Sequence, residues 1–318
     1  MHRYYIVSFI VPFINLMDYM ETKLLYSEPN RELAPENFPL LLRQSKYCPK
    51  RLFCKGTLPS ADKIGIAMVG TRRPSASAEE LCRRLVASLK YTNAIIISGL
   101  AQGIDCYSHR AALEAGIPTL AVLAQGLDAK IEGERASIAE HILESGGALL
   151  SEYEHDTPAY KGNFVARNRI ISGLSQSTIV VQSRQKGGAL ITAQYCLDQG
   201  RPLFAIPGNF DCELYSGTNA LLDSGQAKAV FVPESLPSVI GIPQLDGAKI
   251  GELVQCGIKL SDGARTVFER FNGFRKTFSE LQQEFQFKAP QLLAILTELE
   301  ISGLVTSKDN FQFYFNGA

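Results

Sequence analysis

The 318-residue chain has no net charge, since Lys+Arg and Asp+Glu are both 32. That excludes a uniformly basic protein that coats nucleic acid with its whole surface. A local basic site is still open, because binding depends on where the charge sits. The chain has no C-x-x-C pair. Its seven cysteines, Cys48, Cys54, Cys82, Cys106, Cys196, Cys212 and Cys256, are scattered and odd in number. This argues against a zinc knuckle or a disulfide framework and fits a reducing cytosol. The four histidines have no H-x-x-x-H spacing, so nothing points to a metal. The uncharged stretch Tyr4 to Met17 is too short to span a membrane. Pro12 and Asn15 interrupt it and no small-residue cleavage site follows, so it reads as a buried or amphipathic N-terminal helix pair of a cytoplasmic protein. The P-loop and, after the first strand, the G-x-G-x-x-G fingerprint are absent, so NAD or ATP held by the commonest devices is disfavoured and no cofactor is expected.

With 46% hydrophobic and 20% charged residues, the chain has the composition of a folded soluble protein of about two domains. Residues 1–58 read as a helical or irregular lead-in, with prolines that break it into short pieces rather than a sheet. From Lys63, apolar runs ("KIGIAMVG", "AIIISG", "TLAVLAQG", "GALLSEY", "STIVVQS", "PLFAIPG", "AVFV") alternate with segments of helical spacing. Gly116 marks one helix stop. The runs lack period-two alternation, as strands buried on both faces do. This predicts a doubly wound α/β domain with a mostly parallel sheet over residues 59–233. Residues 234–260, rich in Pro and Gly, read as a linker. Residues 261–318 read as three helices, the third with Leu292, Leu293, Leu296 and Leu299 on one face, then a hairpin turning at Asp309-Asn310. That order suggests a small winged-helix-like domain.

In doubly wound sheets the ligand crevice lies beyond the C-terminal strand ends. The segments there, "VGTRRPS", "SGLAQGID", "EYEHDTPAYKGNFVARNR", "SRQKGG" and "IPGNFD", are Gly-, Ser- or Arg-rich. Each opens near a helix N-terminus, where backbone N–H groups attract anions. Gly70, Gly99, Gly187 and Gly188 would let a phosphate approach closely, and Ser98 is a further expected contact beside them. Between Thr157 and Lys186 the basic residues are Lys161, Arg167, Arg169, Arg184 and Lys186, with no Asp or Glu, and Tyr160 and Phe164 interleave. Cations that neutralise phosphate, with aromatic faces for unpaired bases, suit single-stranded nucleic acid. The competing reading puts Phe164 in the core and uses Arg167 and Arg169 as anchors of local structure. A rival function, a Rossmann-like enzyme acting on a nucleotide or phosphorylated nucleoside, rests on these phosphate loops and on Asp105 and His109, four apart on a helix, near Ser98.

Taken in order, "CKGTLP", "VGTRRPS", "SGLAQGIDCYSHRAAL", "LAVLAQGLD", "FVARNRIISGLS", "VVQSRQKGGALITA", "PLFAIPGN" and "GTNALLDSGQA" resemble the DNA-processing protein A (DprA, or Smf) family, continuously from about Phe53 to Val232. The resemblance implies a Rossmann-like domain that binds single-stranded DNA, protects incoming DNA during natural transformation and loads RecA recombinase. It implies a homodimer with no established catalytic activity. It assigns a phosphate contact to Arg72 and binding roles to Lys161 and Phe164; Arg167, Arg169, Lys186 and the loop glycines are further expected contacts. The chain departs from the family at Gln102, where Arg is usual, at Val181-Gln182-Ser183 and at Lys186-Gly187-Gly188. From Ser261 onward there are six basic and seven acidic residues, and the third helix carries Glu298 and Glu300 without Lys or Arg. This favours protein contact or dimer support over duplex reading.

Overall fold

The computed structural model describes residues 30–243, 261–271, 275–285, 287–301, 304–308 and 312–315. The expectations for the N-terminal helix pair, Cys256 and the Asp309-Asn310 turn lie outside the described residues. The chain divides into two compact units, Met1–Ile242 and Pro243–Ala318.

The first unit is an α/β fold around a nine-stranded sheet. Its strands are β1 (Arg31–Glu32), β2 (Phe53–Gly56), β3 (Ile64–Val69), β4 (Ala94–Ser98), β5 (Thr119–Val122), β6 (Ala148–Ser151), β7 (Ser177–Val180), β8 (Leu203–Ala205) and β9 (Lys228–Ala229), in the order β1-β2-β6-β5-β4-β3-β7-β8-β9. From β6 to β9 all neighbours are parallel. Side chains alternate between two covered faces. Ile66, Met68, Ile96 and Ile179 enter one apolar core, and Ala67, Val69, Ile97 and Val180 the other. Two buried faces explain why the strands read as continuous apolar runs. The chain winds outward from β3 through β4, β5 and β6, then returns to β7 on the other side of β3. The order reverses between β3 and β7, which is where such sheets open a crevice.

Several expectations need correction. Residues 53–56 do not belong to an irregular lead-in. β2 pairs antiparallel with β6, Phe53 opposite Ser151, and β1 pairs with β2. Four residues near prolines carry no periodicity of their own; the strand forms because it covers the β6 edge. "AVFV" pairs only as far as Ala229, and Phe231 and Val232 are 79% and 52% exposed. Within the stretch read as linker, Leu236 and Ile242 are buried in the main core.

In the second unit, helices Asp262–Phe271, Phe278–Phe285 and Ala289–Ile301 accompany a three-stranded antiparallel sheet. Its strands are β10 (Arg275–Thr277), β11 (Val305–Lys308) and β12 (Gln312–Phe315), with β12 central. β10, between the first two helices, has no signature in the sequence, since three residues are too few to show a pattern. Leu292, Leu296 and Leu299 are buried with Val267 and Leu281, whereas Leu293 is half exposed. Positions 292, 296 and 299 follow the i, i+4, i+7 stripe, and 293 turns off it.

Candidate functional site

A cleft of about 1090 Å³ opens where the strand order reverses, between the loops after β3 and β7. Arg72, Lys161, Phe164, Gly70, Lys186, Gly187 and Gly188 all line it. Six basic residues reach the cleft (Arg72, Arg73, Lys161, Arg167, Arg184 and Lys186) against two acidic ones, Asp105 and Glu213. Glu213 pairs with Arg184 at 3.5 Å.

Two helices present their N-termini here. Lys161–Leu174 begins four residues before the expected "VARNRIISGLS" segment, which places Lys161 and Phe164 in its first turn. Gly188–Asp198 begins directly after Gly187. Neither has a side-chain cap or an acidic residue in its first turn. The helices Ala78–Ala87 and Glu134–Glu144 carry Glu79 with Glu80, and Glu134, in that place. The third N–H of each, Asn163 and Leu190, turns back to the carbonyl of Tyr160 or Gly187, so the two termini at the cleft offer an incoming anion the N–H groups of their first residues and their positive end.

Arg72 and Phe164, far apart in sequence, meet. The Arg72 guanidinium lies 4.5 Å from the Phe164 ring centroid, a cation–π contact. The loop carrying Arg72 is braced from below by Gln182, a residue that sequence reasoning noted only as a departure. Gln182 is fully buried, its carbonyl accepts the Thr71 N–H at 2.8 Å, and its amide binds Ser75 N (3.0 Å) and Ser75 Oγ (2.8 Å). Gly70 is required because a Cβ there would stand 2.4 Å from Ile104 Cγ1. Gln102 is exposed, and of its loop Ala101 reaches the cleft.

Four expected contacts are placed otherwise. Ser98 is buried and its Oγ donates to the Met68 carbonyl at 2.5 Å. Gly99 is buried and its N–H donates to Asp105 Oδ2 at 3.1 Å. Arg167 reaches the cleft floor, but it is 2% exposed and its Nη1 donates to the carbonyls of Gly99 (2.6 Å) and Val122. Arg169 pairs with Glu152 and donates to the Tyr47 carbonyl at 2.9 Å, beside a separate cavity of about 490 Å³. These geometries favour the anchoring reading for both arginines. Burial lowers the Arg167 pKa to about 10 and raises that of Asp105, whose charge is in turn favoured by Arg167.

The residues of the enzymatic rival are occupied separately. His109 is fully buried and its Nδ1 meets Thr119 Oγ1 at 2.7 Å, Asp105 is held by backbone N–H groups, and Ser98 is bound to Met68. These partners do not make a nucleophile–base pair. Burial pushes the thiols of Cys82 and Cys106 up to about 12.

A family model described as DNA recombination-mediator protein A matches residues 32–240. The chain is 38% identical over 222 residues to protein Smf of Escherichia coli, covering 68% of this chain and 59% of that protein. It is 38% identical over 207 residues to DNA processing protein DprA of Bacillus subtilis, covering 64% and 68%. The structure is similar to DNA processing protein A from Streptococcus pneumoniae, with a TM-score of 0.62 at 30% identity, over 70% of this chain and 78% of that one. It is also similar to DNA processing protein A from Helicobacter pylori, TM-score 0.60 at 29% identity, over 67% and 96%; that structure concerns the Helicobacter protein's single-stranded DNA binding mode.

Proposed function

Because the chain belongs to the DNA recombination-mediator protein A family, we propose that it binds single-stranded DNA in the cleft between the β3 and β7 loops. The observation that carries this is the meeting of Arg72 and Phe164 beside two uncapped, acid-free helix N-termini. Phosphates would lie over Arg72, Lys161, Lys186 and the N–H group of Gly188. A base would stack on the Phe164 face that Arg72 leaves free. Contacts to phosphate carry no base information, so sequence preference is low. In the cell this activity would protect incoming DNA during natural transformation and load RecA recombinase, with the protein acting as a cytoplasmic homodimer and without catalysis. The second unit's order of helix, strand, two helices and two strands fits a winged helix. Its acidic third helix suits a protein partner.

The test is a salt-dependent titration with single-stranded and duplex oligonucleotides. Arg72→Ala and Lys161→Ala should each weaken binding to unrelated strands alike and reduce the salt slope by about 0.7. Unchanged affinity and slope in both folded variants would refute the assignment, and tighter binding to blunt duplex would refute the single-strand preference. The RecA role predicts faster RecA filament assembly on single strands, lost in Arg72→Ala.

A further inference from the structure

Phe210 is the most solvent-exposed of the described large apolar side chains, at 85%. It stands in the loop after β8, at the sheet edge that carries the cleft. β3, β7 and β8 are consecutive neighbours, so their loops follow one another along that edge at strand spacing, about 5 Å each. The Phe210 loop is tied to the cleft wall. Arg184 pairs with Glu213, the Gln185 N–H donates to Ser216 Oγ at 3.1 Å, and the Gly217 N–H donates to the Ser183 carbonyl at 2.8 Å. Glu213 and Ser216 share the cleft with Phe164.

The loop holds Phe210 outward. The Asn209 side chain accepts the Asp211 N–H at 3.1 Å and its carbonyl accepts the Cys212 N–H at 3.0 Å, which closes a turn with Phe210 at its tip. Asn219 bonds both the N–H and the carbonyl of Gly208, at 3.2 and 3.1 Å. Gly208 lies flat on the Tyr215 ring, where a Cβ would come within 2.0 Å. An aromatic ring kept in water by a braced turn, beside a basic cleft, has the form of a base-stacking platform. Asp211 next to it and Glu213 nearby disfavour phosphate there, so the strand would present a base, not its backbone, to this point.

We propose that Phe210 is a second stacking platform, and that the strand leaves Phe164, passes over Arg72 and the Arg184–Gly188 loop, and stacks a later base on Phe210. This rests on the single-strand reading above and extends the bound strand by the width of one further loop, the one after β8.

The chain contains no tryptophan, so Phe210→Trp adds a single reporter to it. Titration with oligo-dT should quench its emission, whereas a strand of the same length with abasic sites should not. Phe210→Ala should weaken binding of the same oligo-dT about five- to hundredfold with the salt slope unchanged. If Phe210→Ala binds as wild type and the reporter stays silent while Arg72→Ala loses affinity, the platform is refuted and the cleft stands. If Arg72→Ala and Lys161→Ala are also unaffected, the single-strand reading fails with it. Sedimentation decides the remaining alternative. A changed assembly state in Phe210→Ala with unaltered DNA affinity would make Phe210, with Phe231 and Val232, a protein contact and overturn the proposal.

Discussion

Arg167→Ala is expected to destabilise the protein by about 3–5 kcal/mol, the range for removing one partner from a buried charged network. The guanidinium fills the space above Gly99, where a Cβ would stand 2.5 Å from it, and it donates to the Gly99 and Val122 carbonyls, so it ties the end of β4 to the end of β5. It also supplies the buried positive charge felt by Asp105. Alanine would leave two carbonyls without this donor and a buried carboxylate without its counter-charge. Leu100 next to it has the left-handed φ of 51° and its carbonyl accepts Arg135 Nε at 2.8 Å, so the loop's shape depends on these anchors. The urea midpoint should fall by about 1 M or more, for a slope near 3 kcal/mol per M. Arg72→Ala, at an exposed position, should stay within about 0.5 kcal/mol of wild type while losing DNA affinity. A wild-type midpoint for Arg167→Ala together with lost binding would make Arg167 a DNA contact and not an anchor.

The contrast between these two arginines shows how far the sequence could be read. The acid-free stretch from Thr157 to Lys186 announced a basic site, and the structure places two uncapped helix starts within or directly after it. What the stretch could not separate was rim from floor. That depends on helix phase, and the helix begins four residues earlier than its apolar pattern suggests. Counted from Lys161, residues 167, 170, 171 and 174 follow the buried i, i+3, i+4, i+7 stripe, and all four are buried. Arg167 occupies the apolar face, a signal that was present but was masked by its charge. The Gln182 brace was not legible at all, since its partners Thr71 and Ser75 lie more than a hundred residues away in sequence and only the β3–β7 pairing brings them together. β2 is illegible for the same reason: its stability comes from β6, not from its own four residues. Local patterns therefore revealed the parallel core and the chemical character of the cleft. Contacts between distant segments decided which basic groups are free to bind.

The second large effect is acid sensitivity centred on His109. Thr119 Oγ1 donates to the Ile96 carbonyl at 2.9 Å, so its 2.7 Å contact with His109 Nδ1 is one in which the ring nitrogen carries the proton. Nε2 is then the bare nitrogen, and it is buried without a hydrogen-bond partner. A proton there would create a buried cation near Arg167. Burial first, and then the Arg167 charge, depress the His109 pKa from 6.5 to about 3. In the unfolded chain the imidazole takes up its proton near its ordinary value. From about pH 6.5 down to about 3 the unfolded state therefore binds a proton that the folded state refuses. Stability falls by about 1.4 kcal/mol per pH unit across that window and is restored as pH rises. Asp105 acts in the opposite direction. Its raised pKa lets the folded state take up a proton first, so acid partly relieves its burial. Comparing His109→Gln with wild type isolates the histidine, because Asp105 is common to both. The variant should be less stable at pH 7, where a fitted imidazole is lost, yet its stability should decline more slowly between pH 6.5 and 4.5, by about 1.4 kcal/mol per unit. Denaturant unfolding at pH 7.0, 6.0, 5.0 and 4.5 measures both slopes, and parallel slopes would show that the acid sensitivity arises elsewhere.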